Sequence, residues 1–178
     1  MKKHIASAFA IAGLIAAASA AHAADGVITV KGNIIANTCT INGGTSGDFT
    51  VNMPAVSASA LQASGATAGR TPFQIALSGC SSDQKVQTMF EAGPSVNATT
   101  GRLLVDTGAG TATKVELGLL NDSFGKIRAG AAADAQNSQQ VQITGGNATL
   151  NYYVQYESLG GTTPGAANSS VQYTMVYQ

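Results

Sequence analysis

The sequence predicts an all-β fold of the sandwich type, and three observations carry that prediction. Apolar and polar residues alternate in short segments. Clusters of Gly, Asn, Ser and Thr separate those segments. Two cysteines, Cys39 and Cys80, stand in a chain that opens with the pattern of an export leader. Alternation with a period of two puts successive side chains on opposite faces of a strand, so one face is buried while the other stays wet. Many such segments, each bounded by turn-forming residues, form the signature of sandwiches and barrels.

The leader comes first. Lys2 and Lys3 make a positive start, residues 5–18 are apolar, and Ala21-His22-Ala23 is a small-x-small cleavage pattern, so the mature chain is expected to begin at Ala24. The apolar run is short and Ala-rich against the ~20 residues a membrane span needs, so an anchor is the weaker reading. Residues 1–23 are therefore read as a cleaved signal peptide, 24–33 as an N-terminal extension and 34–178 as one domain. Both histidines, His4 and His22, lie in the leader.

Of the nine basic residues, Lys2 and Lys3 leave with the leader, and all nine acidic residues stay, so the mature charge is about −2. The remaining basic residues (Lys31, Arg70, Lys85, Arg102, Lys114, Lys126 and Arg128) are scattered along the chain. Nucleic acid is excluded as a partner, because neutralising phosphates takes clustered Lys and Arg. In an exported chain an even pair of cysteines reads as one disulfide, with two buried thiols as the alternative. A metal site is disfavoured, since a structural zinc wants four Cys or His ligands and no mature histidine remains. No metal and no cofactor are expected. Closing a loop of about 40 residues would contribute about 4 kcal/mol by chain entropy.

Strands are expected over 26–41, 49–52, 73–78, 86–92, 102–105, 115–120, 139–144, 148–157 and 170–177. Turn signals such as Gly108-Ala109-Gly110, Gly145-Gly146-Asn147 and Gly160-Gly161 fall between them. Phe73, Ile75 and Leu77 share one face of their strand, as do Leu150, Tyr152, Val154 and Tyr156. Segments 56–68 and 129–137, rich in Ala, are read as connections, each able to hold a helical turn.

The two ends carry the functional information. Val171, Tyr173, Met175 and Tyr177 form an apolar stripe that runs to the penultimate residue, where chain ends are usually frayed and polar. In a seven-strand immunoglobulin-like sandwich this arrangement leaves the last strand missing, with a groove of core side chains and unpaired backbone beside the stripe. At the other end Gly26, Ile28, Val30 and Gly32 alternate with Val27, Thr29, Lys31 and Asn33. That segment reads equally as the domain's own first strand or as a strand added to another copy's sheet.

These residues resemble the chaperone–usher fimbrial family, type 1-like pilin subunits in particular. The resemblance runs through Lys31-Gly32, Asn37-Thr38-Cys39, the run from Thr71-Pro72-Phe73 to Gly79-Cys80, Gly118 to Gly125, Leu150 to Tyr156, and the end from Tyr173 to Gln178. Gly165 is the fourteenth residue from the end and Tyr177 the penultimate, as in the family's C-terminal signature. The resemblance implies an incomplete immunoglobulin-like sandwich lacking its last strand, completed by donor-strand complementation. It implies that Gly26, Ile28, Val30 and Gly32 are donor positions, and that Gly165, Val171, Tyr173, Met175 and Tyr177 belong to the chaperone-recognised strand bordering the acceptor groove. It further implies as partners identical or related pilin subunits, a periplasmic chaperone, an outer-membrane usher and a host receptor met through the assembled fibre, with a route through the periplasm to the bacterial surface. The stretch from Ala24 to Val30 is shorter than in shaft subunits, nearer to some tip adaptors, and a major shaft position remains the expected one.

An enzyme is the least supported class. No nucleophile stands in a Gly-x-Ser-x-Gly setting and no phosphate-cradling glycine motif is present. Asp83, Glu91, Glu116 and Glu157 are read as solvated surface charge. The rival function is a single-domain secreted adhesin or carbohydrate-binding module, which would give an alternating extension little purpose.

Overall fold

The structure, a computed structural model, describes residues 29–31, 39–42, 44, 47–81 and 83–178. Thr29 to Lys31 carry no regular structure and are exposed. Among the described residues eight strands form: β1 (Thr40–Ile41), β2 (Thr67–Ser78), β3 (Lys85–Phe90), β4 (Leu103–Leu104), β5 (Val115–Leu120), β6 (Gln140–Gln142), β7 (Ala148–Ser158) and β8 (Tyr173–Tyr177). One sheet has the order β1-β2-β7-β5-β4 and the other β6-β3-β8, with every strand pair antiparallel.

The alternation read from the sequence sets the core. Ile75 and Leu77 of β2, Leu150, Tyr152 and Val154 of β7, and Leu117 and Leu119 of β5 face Val86 and Phe90 of β3, with Ile143 beyond β6. Fully burying side chains of this size contributes about 1.5–3 kcal/mol each. Phe73, Tyr152 and Phe90 form a chain of ring contacts through this interior, at 5.5 and 5.4 Å between centroids.

Three expected elements differ. The strand expected at 73–78 starts at Thr67, inside the stretch read as a connection, because β7 is long enough to pair with it from Ala148 as far as Glu157. The register slips between Ala68 and Thr71, the mark of a bulge. Pro72 is tolerated in this strand because β1 covers only Leu77 and Ser78, which leaves the earlier part of β2 as an edge that needs no donor there. Only Ala58–Leu61 of the 56–68 connection is helical, as a 3₁₀ turn, and Ala133–Ala135 is the turn in the second connection. Residues 49–52 form no strand, because among the described residues no strand lies beside them to pair with. The strand expected at 26–41 falls mostly outside the described residues, and Thr40–Ile41 is its visible paired part.

Cys39 and Cys80 are joined by a disulfide. It ties the residue before β1 to the chain just beyond β2, the two strands that pair at Thr40–Ser78 and Ile41–Leu77.

Candidate functional site

β8 is the edge of its sheet. It pairs with β3 on one side, from Val86–Tyr177 to Phe90–Tyr173. Which backbone groups it leaves open follows from the ladder. Lys85 and Gln178 exchange both N–H···O bonds, at 3.0 and 2.8 Å, and Glu91 N–H donates to the Gln172 carbonyl at 2.8 Å. Bonded and non-bonded pairs alternate along an antiparallel ladder. The pairs Val86–Tyr177, Thr88–Met175 and Phe90–Tyr173 are then the non-bonded ones. The N–H and C=O of Tyr173, Met175 and Tyr177 therefore point away from β3, toward the open side.

The side chains of the same residues, with Val171, pack against the core. One stripe thus supplies both the apolar surface and the unpaired backbone. Beside it lies a groove with a cavity volume of about 890 Å³. Residues 48–53 form one wall and 169–175 the other, and Ile75, Phe90, Leu117, Leu119 and Val154 form the floor. Among the described residues, 49–53 make no backbone–backbone hydrogen bond. The groove is therefore a slot with an apolar bottom and the outward-turned backbone of β8 along one rim, the complement of an extended strand with alternating apolar side chains. Left empty it is costly, since unpaired edges and exposed core favour association.

The walls touch at one point. Phe49 packs on Phe73 at 6.0 Å and edge-on to Tyr173 at 6.1 Å, and the Tyr173 hydroxyl donates to the Gly47 carbonyl at 2.6 Å. Burial, aided by the charge of Asp48, raises the Tyr173 pKa, so the phenol keeps its proton and remains a donor. Burial likewise raises that of Tyr177.

Among the residues singled out from sequence, Val171, Tyr173 and Met175 line the groove. Tyr177 packs on the core further along β8 without lining the groove. Gly165 lies elsewhere, in the loop before β8. Its neighbour Ala166 forms a parallel bridge with Thr111, and a side chain at 165 would overlap the backbone of Thr111 and Ala112. That close approach is what requires a glycine there, and it anchors the loop that leads into β8. Val30 is 88% exposed, and Gly26, Ile28 and Gly32 lie outside the described residues.

A second polar cluster was not legible in the sequence. Glu116 and Glu157 were expected as solvated charges, but they are 3% and 2% exposed. They lie on the outer face of the five-stranded sheet, from adjacent strands β5 and β7, where the pairing sets Glu116 opposite Glu157. Arg102 bridges them, with Nη1 at 3.3 Å from Glu116 and Nε at 2.7 Å from Glu157, and Lys126 Nζ reaches Glu157 at 3.0 Å. Asn97 donates to Glu116 at 2.7 Å and Gln155 to Glu157 at 3.0 Å. Burial pushes the Glu157 carboxyl up, but the Gln155 donor, Lys126 and Arg102 together outweigh it and the net pKa is lowered. The cluster staples the loops around residues 97–102 and 126 over the sheet. Among the described residues no three His, Cys, Asp or Glu side chains converge as a metal site.

The family model described as fimbrial protein matches residues 28–178. The major fimbrial subunit SMF-1 of Stenotrophomonas maltophilia (strain K279a) is 48% identical over 168 residues, covering 92% of this chain and 99% of that protein. The F17 fimbrial protein of Escherichia coli is 40% identical over 176 residues, covering 94% and 97%. A chain from the structure of a chaperone–usher pilus superposes with a TM-score of 0.60 at 19% identity, covering 87% of this chain and 96% of that one. The fold is accordingly the incomplete immunoglobulin-like sandwich of such subunits.

Proposed function

The chain belongs to the fimbrial protein family, and on that premise we propose that it is a major shaft subunit that polymerises by lending residues 24–33 to the groove of the next copy. The family is structural rather than enzymatic, and the protein is a subunit of an extracellular surface appendage that assembles with related subunits. The observation that carries the proposal is the groove beside β8. Tyr173 and Met175 turn backbone groups unpaired with β3 toward it, over a floor of core side chains.

The proposed donor is the alternating segment Gly26, Ile28, Val30 and Gly32. Its two apolar side chains would each gain about 1.5–3 kcal/mol on burial in the groove. Its backbone would satisfy the open edge of β8, at about 1 kcal/mol net per hydrogen bond. Gly26 and Gly32 suit places where the slot is too shallow for a side chain. Before that exchange, an incoming strand of a periplasmic chaperone would fill the same groove and keep the exposed core from aggregating. An outer-membrane usher would then swap it for the extension of the following subunit and pass the growing fibre to the surface, where the fibre supports adhesion to a host receptor. Near-complete mutual coverage with the major fimbrial subunit SMF-1 supports the major subunit role.

Deleting residues 25–30 tests the proposal. The truncated chain should still fold and still be captured by the chaperone, but should give no ladder of heat-labile, SDS-resistant multimers. Normal fibres from that truncation would refute strand donation.

A further inference from the structure

We propose that the hydroxyl of Tyr173 is a spacer that holds the groove open at the width of one strand before any strand arrives. The inference rests on the strand-accepting reading of the groove. A strand inserted between two walls needs their backbones about 9.6 Å apart, twice the ~4.8 Å spacing of neighbouring strands. Tyr173 starts on one wall, at the edge of β8, and its side chain crosses to the other, where the hydroxyl donates to the Gly47 carbonyl at 2.6 Å. Val171 and Met175, the groove-lining side chains on either side of it, carry no donor that could make such a contact.

The far wall depends on ties of this kind. Among the described residues, 49–53 make no backbone–backbone hydrogen bond. Val51 and Met53 rest on the core, and the backbone at the two ends is tied by tyrosine contacts, Tyr173 to Gly47 at one end and Tyr156 Oη to the Pro54 carbonyl, at 3.3 Å, at the other. Gly47 is built for its end. It is buried with φ +71°, and a methyl group at that position would stand 3.1 Å from the Tyr173 hydroxyl and 3.6 Å from Ile41. Phe49, packed edge-on to Tyr173, keeps the ring in line. Tyr173 is thus a positioning residue: its ring belongs to the apolar floor, while its hydroxyl fixes the wall against which an incoming strand pairs. Without the tie, only a fraction of empty subunits would hold a groove of the right width, and apparent uptake would fall by that fraction.

The test is uptake of a fluorescent peptide with the sequence of residues 24–33, in excess, by the purified full chain. The wild type should take it up to a saturating plateau. Tyr173→Phe, which keeps the ring and removes the hydroxyl, should reach the same plateau about fivefold more slowly, the factor of one net hydrogen bond. Gly47→Ala, which keeps the carbonyl but sets a methyl group 3.1 Å from the hydroxyl, should slow uptake similarly, and the double variant should be no slower than the slower single one, because both act on the same contact. Tyr153→Phe, on the outer face of β7, should leave the rate unchanged. An unchanged rate in Tyr173→Phe, a lower plateau at an unchanged rate, or additive effects in the double variant would each overturn the spacer role while leaving strand acceptance intact. No uptake by the wild type would instead refute strand acceptance itself, and the spacer with it.

Discussion

Replacing Val30 by alanine separates a residue's role in its own subunit from its role in the next one. In the isolated chain Val30 is 88% exposed, so the substitution removes almost no buried surface. A change at such a site moves stability by no more than about 0.5 kcal/mol. In the fibre the same side chain would sit on the floor formed by Ile75, Phe90, Leu117, Leu119 and Val154. Valine to alanine deletes the equivalent of two methylenes, and at about 0.8 kcal/mol each the joint between subunits loses about 1.6 kcal/mol. That corresponds to roughly 15-fold in the dissociation equilibrium of the joint. The assay has two arms: a thermal melt of the subunit alone, and the denaturant concentration at which purified fibres fall to monomers. The expected pair is an unchanged melt with earlier fibre dissociation. A melt lowered by several degrees with fibres of unchanged strength would show that Val30 belongs to its own subunit's fold, and would refute the donor assignment.

Two further outcomes are expected. Replacing both Cys39 and Cys80 by alanine opens a loop with a sequence separation of 41 and should cost about 4 kcal/mol by chemical denaturation; a loss under about 1 kcal/mol would show that the β1–β2 pairing holds that edge unaided. The lowered pKa of Glu157 means that its charged form stabilises the fold at every pH above its ordinary value of 4.5, and that this share is lost as pH falls through the folded-state value below it. Glu157→Gln should therefore melt lower at pH 7 and lose less stability than the wild type on acidification, and parallel pH profiles for the two would contradict the assignment.

What could be read from the chain was set by local pattern. The stripes Phe73, Ile75, Leu77 and Val115, Leu117, Leu119 announced buried strands, because period-two alternation is a property of neighbours in sequence. The cysteine pair announced a crosslink because two thiols in an exported chain have few other fates. The stripe from Val171 to Tyr177 announced a half-buried strand by the same alternation. The wall at 49–53 misled the same logic. Its residues have the composition of a strand, but a strand is defined by its partner, and the groove lies where that partner would be.

The contacts across the fold were decided elsewhere. Glu116 and Glu157 look like ordinary surface acids, and only the β5–β7 pairing sets them opposite each other under Arg102 and Lys126, brought in from two separate loops. Gly165 was legible as a position in a signature, but its reason is the backbone of Thr111 and Ala112 pressed against it. Tyr173 was legible as an apolar member of the last stripe, whereas its hydroxyl bond to Gly47 joins residues 126 positions apart. Burial patterns and turn chemistry are local, so the sequence by itself determined a sandwich of short alternating strands crosslinked by its cysteine pair. Which backbone groups stand open, how wide the slot is held and which charges are stapled beneath loops depend on register between distant strands, and only the tertiary structure decided those.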